Sequence, residues 1–330
     1  MGISYAIPYR PPAPAASPWT RLRMTWTAKG VTWPLTSPAS GLFLMPGIRG
    51  LGTVTTERHA TTSPAVAGSK HEGISVLDRE VFWPVHIFSD GRLDEEPGAV
   101  TWMKRDRAFW QGMDPSDTGV WEVHLPDSTK RRLRIRFRDD GDHTVTYDPM
   151  KYGWQSYGLK FIAEHPFWEG DPAVRSWKNG EYLPFYEPTG PHMFNIGSGS
   201  EISEATIDNL GDVESYARWF IDGETTEAAV GVNGLVVEVP FDVPEGKCLV
   251  IESEPDLIGA TMYDVVPGAP SKPSERVIGV DMVNPVDRSA DLGEADFAPI
   301  PAGASVPLSL SLAGTGTVEA LLPSLYRRAW

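Results

Sequence analysis

A mostly-β protein of two domains follows from three features of the chain. Gly and Pro are frequent, 32 and 30 in 330 residues, and they cut the sequence into segments too short for long amphipathic helices. Within those segments apolar and polar residues alternate with a period of two, the mark of half-buried strands. The charge also steps along the chain. Residues 1–170 carry 20 basic and 19 acidic side chains and residues 171–330 carry 9 and 25, so +1 and −16 make up the net −15. At 41% hydrophobic the chain can fill ordinary cores. The expectation is a β-sandwich-like first domain with one short helix at 24–170, and an antiparallel β-sandwich of jelly-roll type at 171–330.

Residues 1–23 are rich in Pro and Ala and read as an extended arm. "RLRMTWTAKGVTWPLT" then predicts a hairpin, with Met24 and Trp26 alternating, a turn at Lys29-Gly30, and Val31 and Trp33 on the return. "GLFLMPGIRGLG" (41–52) holds a short apolar strand, and the polar residues 56–73 read as loop. Residues 74–90 alternate again. A helix is expected over about 99–112, capped by Thr101, with Trp102, Phe109 and Trp110 on one face. Strands at 119–125 and 131–141 follow, then a long strand ending near His165-Pro166.

A domain boundary is placed near 168–180. Beyond it short strands recur at 192–196, 203–209, 214–222, 227–232, 235–239, 247–253, 258–265, 304–312 and 316–322, with a loop insertion at about 264–295. Such spacing without intervening helices is that of a sandwich or jelly roll.

Several functions lack support. A domain at −16 repels nucleic acid and anionic membranes. No run approaches the ~18 apolar residues of a membrane span, and the N-terminus lacks a secretory apolar core; a soluble protein made in a cytosol is expected. The single cysteine, Cys248, excludes an intrachain disulfide and a multi-cysteine zinc site. "GIRGLG" (47–52) has no helix after it to hold a phosphate. "RDDGDH" (Asp139, Asp140, Asp142) lacks calcium-loop order and reads as a turn. The seven histidines show no metal-binding spacing, and "GSGSE" (197–201) is not a nucleophile elbow. No cofactor is expected. Most of the twelve Trp, including Trp26, Trp33, Trp121, Trp154 and Trp219, sit at strand positions where core packing explains them.

Two constellations stand out. In "ATIDNLGDVESYARWFIDG" (205–223), two alternating runs flank a turn-forming "DNLGD", which predicts a hairpin; Asp208, Asp212, Glu214 and Asp222 are then either a carboxylate site or turn and surface residues. In "RRLRIRFRDDG", Leu133, Ile135 and Phe137 take one strand face and Arg132, Arg134, Arg136 and Arg138 the other. That stripe is either a subunit interface or channel wall, or a solvated face paired across to acids such as Glu122.

The order of these patterns along residues 24–330 resembles the distal tail (minor tail) proteins of long, non-contractile-tailed bacteriophages, notably those of actinobacterial hosts. "GVTWPLT", "GLFLMPGIRGLG", "REVFWPVHIFSD", "MDPSDTGVWEVHLPDSTKRRLRIRF" and "LKFIAEHPFWEGD" carry the likeness in the first half. "ATIDNLGDVESYARWFIDG", "LVVEVPFDVPEGKCLVIESEP", "FAPIPAGASVPLSLSL" and "LPSLYRRAW" carry it in the second. The resemblance implies a ring-forming first domain, typically sixfold, at the end of the tail tube, and a galectin-like sandwich outside it. It implies a non-enzymatic virion protein of the tail tip or baseplate. Its partners would be its own copies, the tail tube protein, the tape measure protein, the tail-tip hub and a receptor-binding protein. A galectin-like fold does not by itself imply sugar binding. Two other functions compete, a carbohydrate-binding module for the host envelope and a β-sandwich glycosidase; saturable glycan binding or carboxylate-dependent hydrolysis would single them out.

Overall fold

Alternation of large apolar residues builds the first sheet of the computed structural model, which describes residues 18–89, 98–141, 145, 147–178 and 205–330. Most of the expected arm, the strand expected at 192–196, Asp142 and "GSGSE" lie outside the described residues. The chain divides into two units, Met1–Glu169 with Arg327–Trp330, and Gly170–Tyr326.

In the first unit the strands β1 (Arg23–Ala28), β2 (Val31–Pro34), β3 (Leu42–Leu44), β4 (Thr56–Ser63), β5 (Val66–Val76) and β6 (Arg79–Phe88) precede the helix α1 (Gly98–Trp110). Then come β7 (Thr118–His124), β8 (Lys130–Asp139), the single-turn helix α2 (Pro149–Tyr152), β9 (Trp154–Ala163) and β10 (Trp168–Glu169). The main sheet runs β2-β1-β7-β8-β9-β6-β3, antiparallel throughout. It curls back on itself, because the far edge of β3 meets the residue that follows β2: Leu44 N donates to Leu35 O at 2.8 Å.

The β1–β2 hairpin turns at Lys29 and Gly30, both at positive φ (49° and 76°), the geometry whose twist suits a two-residue hairpin loop. Trp26, Trp83, Trp121 and Trp168 are fully buried inside the curl and meet edge-on or tilted at 4.9–5.3 Å. Gly119 makes room for this cluster, since a Cβ there would sit 2.1 Å from the Trp26 ring. Helix α1 packs on the sheet with Trp102 and Phe109 buried, Phe109 meeting Trp33 edge-on at 5.8 Å, and Tyr157 on β9 donates its hydroxyl to Asp106 at 2.5 Å. Thr101 is not the cap, because the helix already begins at Gly98.

Residues 56–73 are not loop. They form most of the β4–β5 hairpin, a separate two-stranded sheet with β4 exposed along its whole length. Neither face packs within the unit, so the strands carry no apolar alternation, the signal that strand prediction depends on.

The second unit holds β11 (Ala173–Lys178), β12 (Thr206–Asp208), β13 (Arg218–Asp222), β14 (Thr225–Val232), β15 (Leu235–Val239), β16 (Lys247–Glu252), β17 (Gly259–Val265), β18 (Met282–Asp287), β19 (Ser305–Gly314) and β20 (Thr317–Leu322). Two antiparallel sheets, β11-β20-β13-β16-β17-β18 and β12-β19-β14-β15, face each other across one core that includes Ile207, Trp219, Val230, Leu249, Leu308 and Val318. The insertion at 264–295 is partly strand: β18 pairs with β17 at the sheet edge, where Pro285 and the positive φ of Asn284 (53°) hide its pattern.

The stretch 205–223 is a crossover, not a hairpin. β12 pairs with β19 in one sheet and β13 with β16 and β20 in the other. Buried Asn209 sets the corner. Its amide donates to Val213 O and Ile300 O, both at 2.9 Å, while its side-chain oxygen accepts from Gly211 N. Alternation is the same for a hairpin and a crossover, so it did not separate them.

Candidate functional site

Antiparallel register places the arginine strand against acids of its own unit. Arg132 lies opposite Glu122 on β7, and its Nε donates to Glu122 Oε2 at 2.9 Å. Arg136 holds Glu164 with Nε and Nη2 (2.9 and 3.3 Å) and donates to Ser116 O at 2.8 Å. Arg134 approaches Glu169 and Arg138 approaches Glu80, each at 3.5 Å. Leu133 and Ile135 fill the opposite face, fully buried, and Phe137 is half-buried. Four arginines and four carboxylates thus share the outer surface of β8. Arg134 and Arg138 stay more than half exposed, so each of their pairs contributes only about 0–1 kcal/mol. Arg136 is held in its charged form by Glu164, which raises its pKa. Glu122 sits low despite its desolvation, because Arg132, His124 and Lys130 surround it.

A second feature lies on the outer face of the same sheet, toward β3, and the sequence reading did not find it. Phe43 on β3 pairs with His86 on β6, and Phe88 on β6 pairs with Trp154 on β9. The rings form a row. His86 is 5.4 Å from Phe43, 5.8 Å from Phe88 and 5.3 Å from Trp154; Tyr147 continues it 5.7 Å from Trp154, and Tyr152 lies 6.0 Å further. His86 Nδ1 is 2.9 Å from Ser156 Oγ, and among the described residues its buried Nε2 has no hydrogen-bond partner. Burial alone lowers its pKa to about 4, so the ring is neutral at physiological pH. The row was missed because its members come from three strands, a loop and the helix α2.

The carboxylates of 205–223 do not form one site. Asp208 pairs with Arg175 at 3.3 Å, while Asp222 is gripped by both terminal nitrogens of Arg276 at 2.7 and 2.8 Å. Among the described residues no group of three or more His, Cys, Asp or Glu side chains is placed to hold a metal ion, and no helix is long and apolar enough to cross a membrane. Cys248 is buried, which pushes its thiol up to about 12.

No protein-family model and no curated protein sequence matches the chain. Solved structures do. The Dit protein of phage SPP1, described as a paradigm of the hub adsorption apparatus in phages infecting Gram-positive bacteria, matches with a TM-score of 0.54 at 11% identity, over 91% of this chain and 98% of that one. A chain of the phage p2 baseplate in its activated conformation with Sr matches at 0.52 and 11%, over 91% and 97%. The same baseplate with Ca gives 0.52 and 11%, over 92% and 98%. Both units are therefore matched in their order along the chain, and the protein has the fold of phage Dit and baseplate proteins.

Proposed function

We propose that this chain is a structural protein of a phage virion, which forms a ring at the distal end of the tail and adapts the tail tube to the tip and its host-adsorption apparatus. The observation that carries the reading is the length of the structural match, 91% of this chain against 98% of the SPP1 Dit chain. One shared domain would allow many roles; two in the same order narrow them. The ring is a homo-oligomer, a hexamer built through the first units, and each second unit is a sandwich. Its neighbours are the tail tube protein, the tape measure protein, the tip hub and a receptor-binding protein. The reading involves no turnover.

Two features of the first unit support assembly. A ring gives each subunit a different patch to face, and the arginine surface of Arg132, Arg134, Arg136 and Arg138 supplies one side of such a contact or a channel wall. The β4–β5 hairpin is two-stranded and unpacked, which is marginal in water without a second layer. A neighbouring copy would provide that layer.

Negative-stain images and solution mass of the purified chain test the proposal. Closed rings with a central opening are expected. A monomer at high concentration, with saturable binding of wall glycans by the second unit, would replace it with the carbohydrate-binding function.

A further inference from the structure

The outer face of the six-stranded sheet in the second unit carries an apolar strip. Side chains alternate along a strand. Trp219, Ile221, Leu249 and Ile251 fill the core between the sheets, so Phe220 on β13 and Cys248 and Val250 on β16 point the other way. They are nonetheless buried, with Met282 beside them and Tyr263, Val265 and Leu321 packed around.

The segment between β17 and β18 covers them. Val265 pairs with Met282 at its base, and Val266 N donates to Asp281 O at 2.9 Å. From there residues 266–281 run out over the face to a single 3-10 turn, Pro273–Glu275, which meets β13 and β20. The strand β20 is three strand spacings from β17, roughly 14 Å. Two residues fasten this strap. Arg276 grips Asp222 on β13 with both terminal nitrogens and lies against Cys248, while Ser274 N donates to Glu319 Oε2 on β20 at 2.7 Å. Arg276 Nε also donates to Pro270 O at 2.8 Å, so the side chain that fastens the strap also shapes it.

Little else holds the strap down. Of residues 266–281 only Pro273 is buried. Among the described residues, the backbone hydrogen bonds of this segment close within it or on Met282 at its base. The sheet beneath needs none of them, since β20, β13, β16 and β17 pair with one another without a break. Segments with so few buried contacts open at the low end of the range of local free energies. Opening here also leaves no charge buried and unpaired, because Arg276, Asp222 and Glu319 reach water together.

We propose that residues 266–281 are a latched strap, which leaves the outer face of the six-stranded sheet as one unit while both sheets stay paired, and so switches the strip of Phe220, Cys248 and Val250 between covered and open. The device belongs to the second unit and does not depend on ring formation.

Labelling of the full chain with a maleimide tests this, since Cys248 is its single cysteine and is fully buried. Below the unfolding transition seen by circular dichroism, the rate should hardly change as urea is added, because releasing the strap exposes little surface. Arg276→Ala should label severalfold faster with the same shallow urea dependence. Hydrogen exchange in that variant should leave the amides of β13 and β16 protected. Labelling of the natural chain that rises with urea as steeply as unfolding does would overturn the proposal without any variant, because Cys248 would then be reached only when the sandwich unfolds. Equal rates for Arg276→Ala and the natural chain would remove the latch. Lost protection in β13 and β16 would show that the sheet opens instead of the strap, and would overturn the proposal as well.

Discussion

Arg79 Nη2 donates to the carbonyl of Arg327 at 2.8 Å, across 248 residues of sequence. The same guanidinium donates from Nε to Pro166 O at 2.6 Å and from Nη1 to Gly50 O and Gly52 O. Pro166 lies just before the chain leaves the first unit and Arg327 is where it re-enters. One side chain therefore ties exit to re-entry, helped by Ala329 N donating to Leu51 O at 3.0 Å. Arg79 is 3% exposed and has carbonyls rather than an acid around it, and burial lowers its pKa to about 10.

Arg79→Met should leave those carbonyls without their donor, at a cost of about 3 kcal/mol. For a unit of this size that lowers the melting temperature by roughly 6–12 °C. Thermal unfolding followed by circular dichroism measures it. An unchanged melting temperature would mean that water replaces the guanidinium at no cost.

Because exit and re-entry meet on Arg79, replacing residues 170–326 by a short Gly/Ser linker should leave the first unit folded. A plain truncation after Glu169 also removes Arg327–Trp330 and should be less stable. Under the proposed function, the linker chain should still form rings. Rings from the second unit alone would reverse the roles.

His86 should make stability fall with acid. Its folded pKa of about 4 lies below the unfolded value of 6.5, so the unfolded chain takes up the proton first as pH drops. The contribution is complete above about pH 6.5 and shrinks as the pH falls towards 4. Urea midpoints between pH 8 and pH 4 should decline less for His86→Phe than for the natural chain. Parallel curves would remove His86 from the account.

Arg134→Glu with Arg136→Glu should abolish ring assembly while the subunit remains folded. The new carboxylates would face Glu169 and Glu164 as well as any acids of a neighbour. Either change alone should matter little, since an exposed pair contributes about 0–1 kcal/mol. Sedimentation beside circular dichroism separates lost assembly from lost fold. Normal rings from the double variant would leave the stripe as a solvated face.

Asp222→Ala should destabilise the second unit by about 3–5 kcal/mol, because it leaves the Arg276 guanidinium, only 6% exposed, without its counter-charge. Arg276 also lies against Cys248, so the variant should react faster with a thiol reagent than the natural chain. Equal rates would show that the pair does not guard the thiol.

Local patterning by itself determined most of the strands, the β1–β2 turn at Lys29-Gly30, the helix with Trp102 and Phe109 inward, and the two faces of the arginine strand. Each depends on a period or a turn residue contained within about a dozen positions. Tertiary structure alone decided the rest. It decided that 205–223 crosses between sheets, since a strand's period does not say which partner its backbone will find. It gave β4 and β5 a pairing that no buried face announces. It also set acids from β6, β7, β10 and the β9–β10 turn opposite the four arginines, and gathered Phe43, His86, Phe88, Trp154, Tyr147 and Tyr152 into one row. Those neighbours are tens of residues apart along the chain, and only sheet register brings them within reach.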